Sequence, residues 1–256
     1  MTSHFVNLTE LPGQGVSEEQ LERLTSRYIW ALDYCRGKDV VELACGGGQG
    51  LQLLKREARS LMAGDISDEV LVPTRAANPG LDIRTFDAEN IPGTDASLDV
   101  VILFEALYYI PHTDKFFAEA HRVLRPGGHL LIATANKDLF DFNPSPFSHR
   151  YLGVVELGTE LGALGFQSSF FGGVRTDRTS LRQRIFRPIK YVVVNLGLMP
   201  KTMGGKAWLK RLVFGRMIPL PASVDENTAA IEKPEPVPAG APDVVHKVVF
   251  CSARKQ

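Results

Sequence analysis

The stretch Val40–Gly50, VVELACGGGQG, limits the fold more than any other part of the chain. Val40, Val41 and Leu43 read as a buried strand, with one acid, Glu42, near its end. Side-chain-poor residues follow (Ala44, Cys45, Gly46, Gly47, Gly48, Gly50), and LQLLKREA then resumes in helical spacing. A strand, a turn nearly free of side chains and a helix start form a ligand site in an open α/β sheet. The glycines let backbone approach a ligand, and the helix N-terminus offers unpaired N–H groups and partial positive charge.

The flanking sequence repeats the alternation. Ser17-Glu18-Glu19-Gln20 is a capping box, with Val16 and Leu21 as its hydrophobic staple. It opens a helix whose apolar positions Leu21, Leu24, Tyr28, Ala31, Leu32 and Cys35 recur at three and four. After the first strand, Asp39–Leu43, a second ends at Asp65, and Ser67 caps the helix behind it. A third spans Leu81–Phe86 and a fourth Leu98–Phe104. The fifth, HLLIATA, follows the turn Arg125-Pro126-Gly127-Gly128. A polar, aromatic loop and the helix GVVELGTELGAL lead to a sixth strand, FQSSFFGGV, and DVVHKVVFCSARK alternates as a seventh. Strands separated by helices of this length call for a parallel sheet with right-handed crossovers.

Zero net charge over 256 residues gives no general attraction to nucleic acid, and none is expected as a partner. The average hides an asymmetry. Between the sixth and seventh strands, Arg175–Arg216 holds eleven Lys or Arg against one acid, Asp177, a local charge of +10. Trp208, Leu209, Leu212 and Phe214 are interleaved with these cations. Two readings stay open: a helical cap with a solvated face, or a patch for an anionic acceptor or an anionic membrane surface through residues 182–216. Residues 219–243 are Pro-rich and acidic and read as a surface-hugging return linker. Cys35, Cys45 and Cys251 are odd in number and far apart, which is neither a disulfide framework nor a zinc site, and a metal is not expected. With no signal-like N-terminus and no apolar run of about 18 residues, a cytoplasmic protein, at most peripheral to the membrane, is expected.

Two cofactor classes use such an opening. The dinucleotide fingerprint G-x-G-x-x-G requires a small residue where Gly46-x-Gly48 leads to Leu51, and a start at Gly48 fails at Leu53. The segment Glu42-Leu43-Ala44-Cys45-Gly46-Gly47-Gly48 instead resembles the first motif of class I S-adenosylmethionine-dependent methyltransferases, an acid followed by G-x-G-x-G, with Ala44 at the first glycine. The later motifs follow in the family's order: Asp65 in AGDIS, Asp87 in FDAENIP, SLDVVILFEALYYIP and HRVLRPGGHLLIATAN. The resemblance covers about residues 39–174 and is nearest to small-molecule and glycan methyltransferases of the ubiquinone-biosynthesis type.

That resemblance implies an α/β, Rossmann-like seven-stranded sheet of order 3-2-1-4-5-7-6, the seventh strand antiparallel, with helices on both faces. Residues 1–38 would be a helical lid, 39–174 the core, 175–243 a basic cap with its Pro-rich return, and 244–256 the last strand. It implies S-adenosylmethionine as cofactor. The cofactor's amino-acid end would lie over Ala44, Cys45, Gly46 and Gly48, with Glu42 near the sulfonium and Tyr28 in the lid. Asp65, followed by Ile66, would take the ribose hydroxyls, and Asp87 with Ala88 the adenine. Ile91 and Leu107 are candidate apolar contacts, and Glu105 would shape the pocket.

Methyl transfer from a sulfonium is an in-line displacement in which positioning matters most, and an oxygen acceptor also needs a base. Tyr109, His112 and His149 are the candidates. His149 is preferred because it follows the fifth strand on the acceptor side. The function implied is methylation of a small molecule or glycan, including a nucleotide- or lipid-linked sugar, at oxygen. The rivals are a membrane-surface lipid or quinone methyltransferase and a non-catalytic cofactor-binding partner subunit.

Overall fold

The computed structural model describes Thr9, residues 11–177 and residues 217–256. The basic stretch 182–216, and with it the expected membrane contact, lies outside the described residues.

Strand β1 (Gly15–Ser17) leads directly into helix α1 (Glu18–Cys35). The capping box is formed in both directions: the Gln20 backbone N–H donates to Ser17 Oγ at 3.2 Å, and the Ser17 N–H donates to Gln20 Oε1 at 3.0 Å. The chain then alternates through β2 (Asp39–Leu43), α2 (Leu51–Glu57), β3 (Ser60–Asp65), α3 (Asp68–Ala77), β4 (Asp82–Thr85) and β5 (Leu98–Phe104). Helix α4 (Thr113–Val123), strand β6 (Leu124–Ala135), helix α5 (Val154–Ala163) and strand β7 (Phe166–Arg175) follow. Strands β8 (Met217–Pro219), β9 (Glu235–Val237) and β10 (His246–Lys255) complete the chain.

The main sheet runs β4-β3-β2-β5-β6-β10-β7-β9. Its first seven members reproduce the expected order, with β10 antiparallel to both β6 and β7. The eighth, β9, corrects the expectation of seven. It comes from the Pro-rich segment read as a linker and pairs antiparallel with β7 through Phe170, Phe171 and Gly172. An edge position makes this feasible, since Pro236 lacks an N–H and an edge strand has a side that needs none. Strand β8, which ends on the first residue of that segment, pairs with β1 from Gly15↔Pro219 to Ser17↔Met217, and the segment buries Leu220 and Val224. It is therefore packed structure in part. The fifth strand also starts earlier than His129. Leu124 already pairs with Leu98, and the register slips across the Pro-Gly-Gly before His129 pairs with Val100.

The sheet buries both faces, as a parallel sheet must. Val40, Ile102, Leu131 and Phe250 face one apolar layer with α1 and α2. Val41, Leu103, Ile132 and Val249 face the other, with Phe116, Phe117 and Leu157 of α4 and α5. The two-residue period of a strand puts Glu42 on the face of Val40, under α1.

The turn after β2 explains the spacing of its small residues. Ala44, Gly46 and Gly48 have φ of 50°, 54° and 70°, so every second residue is left-handed. Glycine adopts this region at no steric cost, whereas alanine is strained there. Ala44→Gly is expected to stabilise the protein by about 1 kcal/mol, measured by chemical denaturation; equal or lower stability would show that Ala44 is not strained.

Candidate functional site

The cavity lies at the carboxyl ends of β2, β3 and β5, where the strand order reverses direction from β2. This is the switch point at which open α/β sheets bind ligands. Its volume is about 500 Å³. Helix α1 closes one side with Gln20, Arg23, Leu24, Arg27 and Tyr28, a single stripe at spacings of three and one.

Most residues picked out from the sequence converge here. Tyr28, Glu42, Ala44, Cys45, Gly46, Asp65, Ile66, Asp87, Ala88, Glu105, Tyr109 and His149 all line the cavity. Gly48 does not. It turns the chain into α2, packed so that an added Cβ would sit 2.6 Å from Thr74 Cγ2. His112 does not line the cavity either. It caps the start of α4, and its backbone N–H donates to Glu89 Oε1 at 2.9 Å while its Nδ1 lies 3.0 Å from Glu89 Oε2. Ile91 and Leu107 belong to the core.

Glu42 is buried to 1% exposure. The Tyr28 hydroxyl donates to its Oε1 at 2.7 Å, and its Oε2 has no hydrogen-bond partner. Arg27 lies over the Tyr28 ring with its guanidinium carbon 5.6 Å from the centroid, and its Nε is also buried without a partner. Unpaired buried groups of opposite polarity are costly to leave unmet, so together they mark where a zwitterionic group would be taken. Burial pushes the Glu42 carboxyl up to about 7, opposed by the Tyr28 hydroxyl and the Arg27 charge.

Asp65 is set by backbone. Its Oδ2 accepts from the Gly46 N–H at 3.2 Å and its Oδ1 from the Ser67 N–H at 3.0 Å. Burial raises its pKa above the ordinary carboxylate value and so makes it a weaker acid, against these N–H bonds and that of Ile66. Asp87 Oδ1 accepts from the Glu89 N–H at 2.9 Å, which fixes the loop after β4. Ile66 presents an exposed apolar face beside both acids.

On the opposite side, Glu105 ends β5 in a left-handed conformation, φ 51°. Both of its oxygens are held, Oε1 by Arg23 Nη2 at 3.0 Å and Oε2 by the Tyr108 hydroxyl at 3.1 Å. The Tyr109 hydroxyl donates to Ser145 Oγ at 3.4 Å, and burial raises its phenol above 10. His149 is an exposed residue at the mouth, its backbone N–H donating to the Tyr108 carbonyl at 2.8 Å. Arg23, Arg27 and Tyr108 complete a site that the motif reading left unfinished. The α1 stripe was the available signal, since its polar members share a face with Tyr28.

The raised Glu42 carboxyl predicts a pH dependence. A carboxyl that is a weaker acid when folded favours the native state below its unfolded value near 4.3 and loses that advantage as pH rises toward 7. The protein without ligand is expected to lose up to roughly 3 kcal/mol between pH 4.5 and 8 relative to Glu42→Gln, followed by denaturant titration at several pH values; parallel curves for the two proteins would refute it.

Residues 41–132 match the family described as "Methyltransferase domain". The chain is 36% identical over 161 residues, 61% of its length, to a probable S-adenosylmethionine-dependent methyltransferase of Mycolicibacterium smegmatis, of which it spans 63%. It is 44% identical over 99 residues, 37% of its length, to phthiotriol/phenolphthiotriol dimycocerosates methyltransferase 1 of Mycobacterium ulcerans, of which it spans 36%. A SAM-dependent methyltransferase from Thermotoga maritima shares the fold, with a TM-score of 0.59 at 15% identity over 93% of this chain and 92% of that one. A switch-point cavity alone would suit any doubly wound protein; the methyltransferase-domain match runs through its glycine turn, and the chain, similar over that stretch to S-adenosylmethionine-dependent methyltransferases, spans less than two thirds of the length of these curated relatives.

Proposed function

We propose that the protein transfers a methyl group from S-adenosylmethionine to an oxygen atom of a small-molecule or lipid acceptor held in the same cavity. The observation that carries this reading is the pair of unmet buried groups, Glu42 Oε2 and Arg27 Nε, on one wall of a cavity whose other wall holds the preset Asp65 carboxylate. An ammonium suits the first and a carboxylate the second, so they fit the two ends of an α-amino acid. The Asp65 carboxylate fits a vicinal diol, for which a bidentate acceptor is needed. Ile66, Asp87 and Ala88 supply an apolar face and an acceptor for a purine with an exocyclic amine. Asp65→Ala is expected to weaken S-adenosylmethionine binding tenfold or more by calorimetry, and unchanged affinity would remove Asp65 from the ribose role.

When bound, the cofactor supplies an electrophilic methyl group on a sulfonium. The chain's part is to align an acceptor oxygen with it, exclude water and take the acceptor's proton. Helix α1 does the excluding, with Tyr28 fastened to Glu42 beneath it. Tyr109, its phenol raised by burial, stays protonated near neutral pH and can donate a hydrogen bond but not accept the proton. His112 is engaged with Glu89 away from the cavity. That leaves His149 as the base, at the mouth where an acceptor enters. Its imidazole would take the hydroxyl proton as the oxygen–methyl bond forms and the sulfur–methyl bond breaks.

A lipid acceptor would accord with the named Mycobacterium ulcerans relative and with a basic stretch at 182–216 facing an anionic membrane surface. With an acceptor found by S-adenosylhomocysteine release from metabolite and lipid extracts, His149→Ala is expected to lower kcat by about a hundredfold or more. Affinity for S-adenosylmethionine should stay within about twofold. A kcat left intact would remove His149 as base.

A further inference from the structure

Beyond Glu105 the wall of the cavity changes character. Ala106, Tyr108, Tyr109, Ile110 and Pro111 follow β5 along it, and His149 closes it from the loop after β6. Tyr108 stacks on Tyr151 with centroids 4.6 Å apart at 21°, and Phe142 meets Tyr151 edge-on at 4.7 Å. Tyr109 meets Tyr108 at 4.6 Å. The aromatic wall therefore continues outward from the cavity into the loop 139–151. On that same loop Phe140 and Phe147 are 62% and 52% exposed, among the most exposed large apolar side chains of the described residues.

The charges of this region are already matched within the protein. Lys137 Nζ lies 2.7 Å from Asp138 Oδ1 and 2.8 Å from Glu156 Oε1. Arg150 pairs with Glu160 at 2.7 Å, and Arg23 with Glu105 at 3.0 Å. Arg27 lies at Tyr28, on the side of Glu42. Among the described residues the acceptor side thus offers no uncommitted cation for a phosphate, while it offers the stacked rings of Tyr109, Tyr108, Tyr151 and Phe142, with Phe140 and Phe147 exposed on the same loop. Aromatic walls recognise apolar and planar bodies, and contiguous exposed apolar surface beside a cavity marks where a ligand continues.

We infer that the acceptor is a hydroxyl compound with an elongated apolar body, whose head enters beside Tyr109 and His149 and whose tail leaves across Phe140 and Phe147. This deepens the reading of the cavity as a methyltransferase site and rests on it. It favours a lipid alcohol or alkylated phenol over a nucleotide- or phosphate-linked sugar.

The test is calorimetric titration of protein loaded with S-adenosylhomocysteine, using 4-alkylphenols from ethyl to octyl and, separately, uridine diphosphate. Affinity is expected to rise by up to about fourfold per added methylene, the full effect of burying it. The double substitution Phe140→Ser with Phe147→Ser should flatten that rise. Loading with S-adenosylhomocysteine is measured first on each protein. Its loss from the wild type would overturn the methyltransferase reading, and its retention by the variant shows that the variant is folded. With loading intact, a series in which chain length brings no gain overturns the acceptor class. So does uridine diphosphate binding more tightly than every alkylphenol. A rise that survives the double substitution overturns the exit across the two phenylalanines.

Discussion

The Tyr28 hydroxyl reaches across the top of the sheet to Glu42 in β2, and both partners are almost wholly buried. That hydrogen bond holds α1 against the glycine turn. The fit is close, since a Cβ at Gly50 would lie 2.1 Å from the Tyr28 ring. Three features depend on it: the ceiling of the cavity, the small residue at position 50, and the orientation that leaves Glu42 Oε2 facing inward. A buried carboxylate with one oxygen satisfied costs stability in the empty protein. The cost is tolerable where a cation completes the shell, and so the same contact that closes the fold prepares the site.

The cavity has two sides of different chemistry. Toward α2 and α3 it is polar and built on backbone: Asp65 is set by amide groups, and the turn beneath it is left-handed at alternate residues. Toward α4 it is aromatic and built on side chains that stack on one another. The Arg23–Glu105–Tyr108 chain of bonds lies between them. A polar ligand needs directional partners and an apolar one needs surface, and the two kinds of wall come from different layers of the loops.

Local patterns in the sequence were legible because local forces decide them. The capping box at Ser17, the buried apolar runs of β2 and β5 and the spacing 44-46-48 each depend on neighbours within a few residues. The seven core strands followed from that, and their order from the resemblance. What escaped depended on distant partners. A three-residue strand containing Pro236 carries no strand signal of its own, and only pairing with Phe170–Gly172 makes it one. The pairing of β8 with β1 joins segments about two hundred residues apart. His112 sits one residue past the cavity wall at Pro111, and it is engaged by Glu89 instead. Arg23 and Arg27 carry no motif of their own, and only the placing of α1 over the switch point brings them to the cavity.

The β1–β8 pairing also bears on how this protein can change over time. The long segment leaves the sheet at Arg175, which is pinned to Asp177 and Glu235, and the chain returns at β8 beside the first residues of α1. Both ends are thus anchored independently of whatever lies between them. The edge of the sheet and the start of α1 are therefore held by pairs whose members all lie outside residues 178–216, so sequence change within that stretch leaves the pairs themselves untouched.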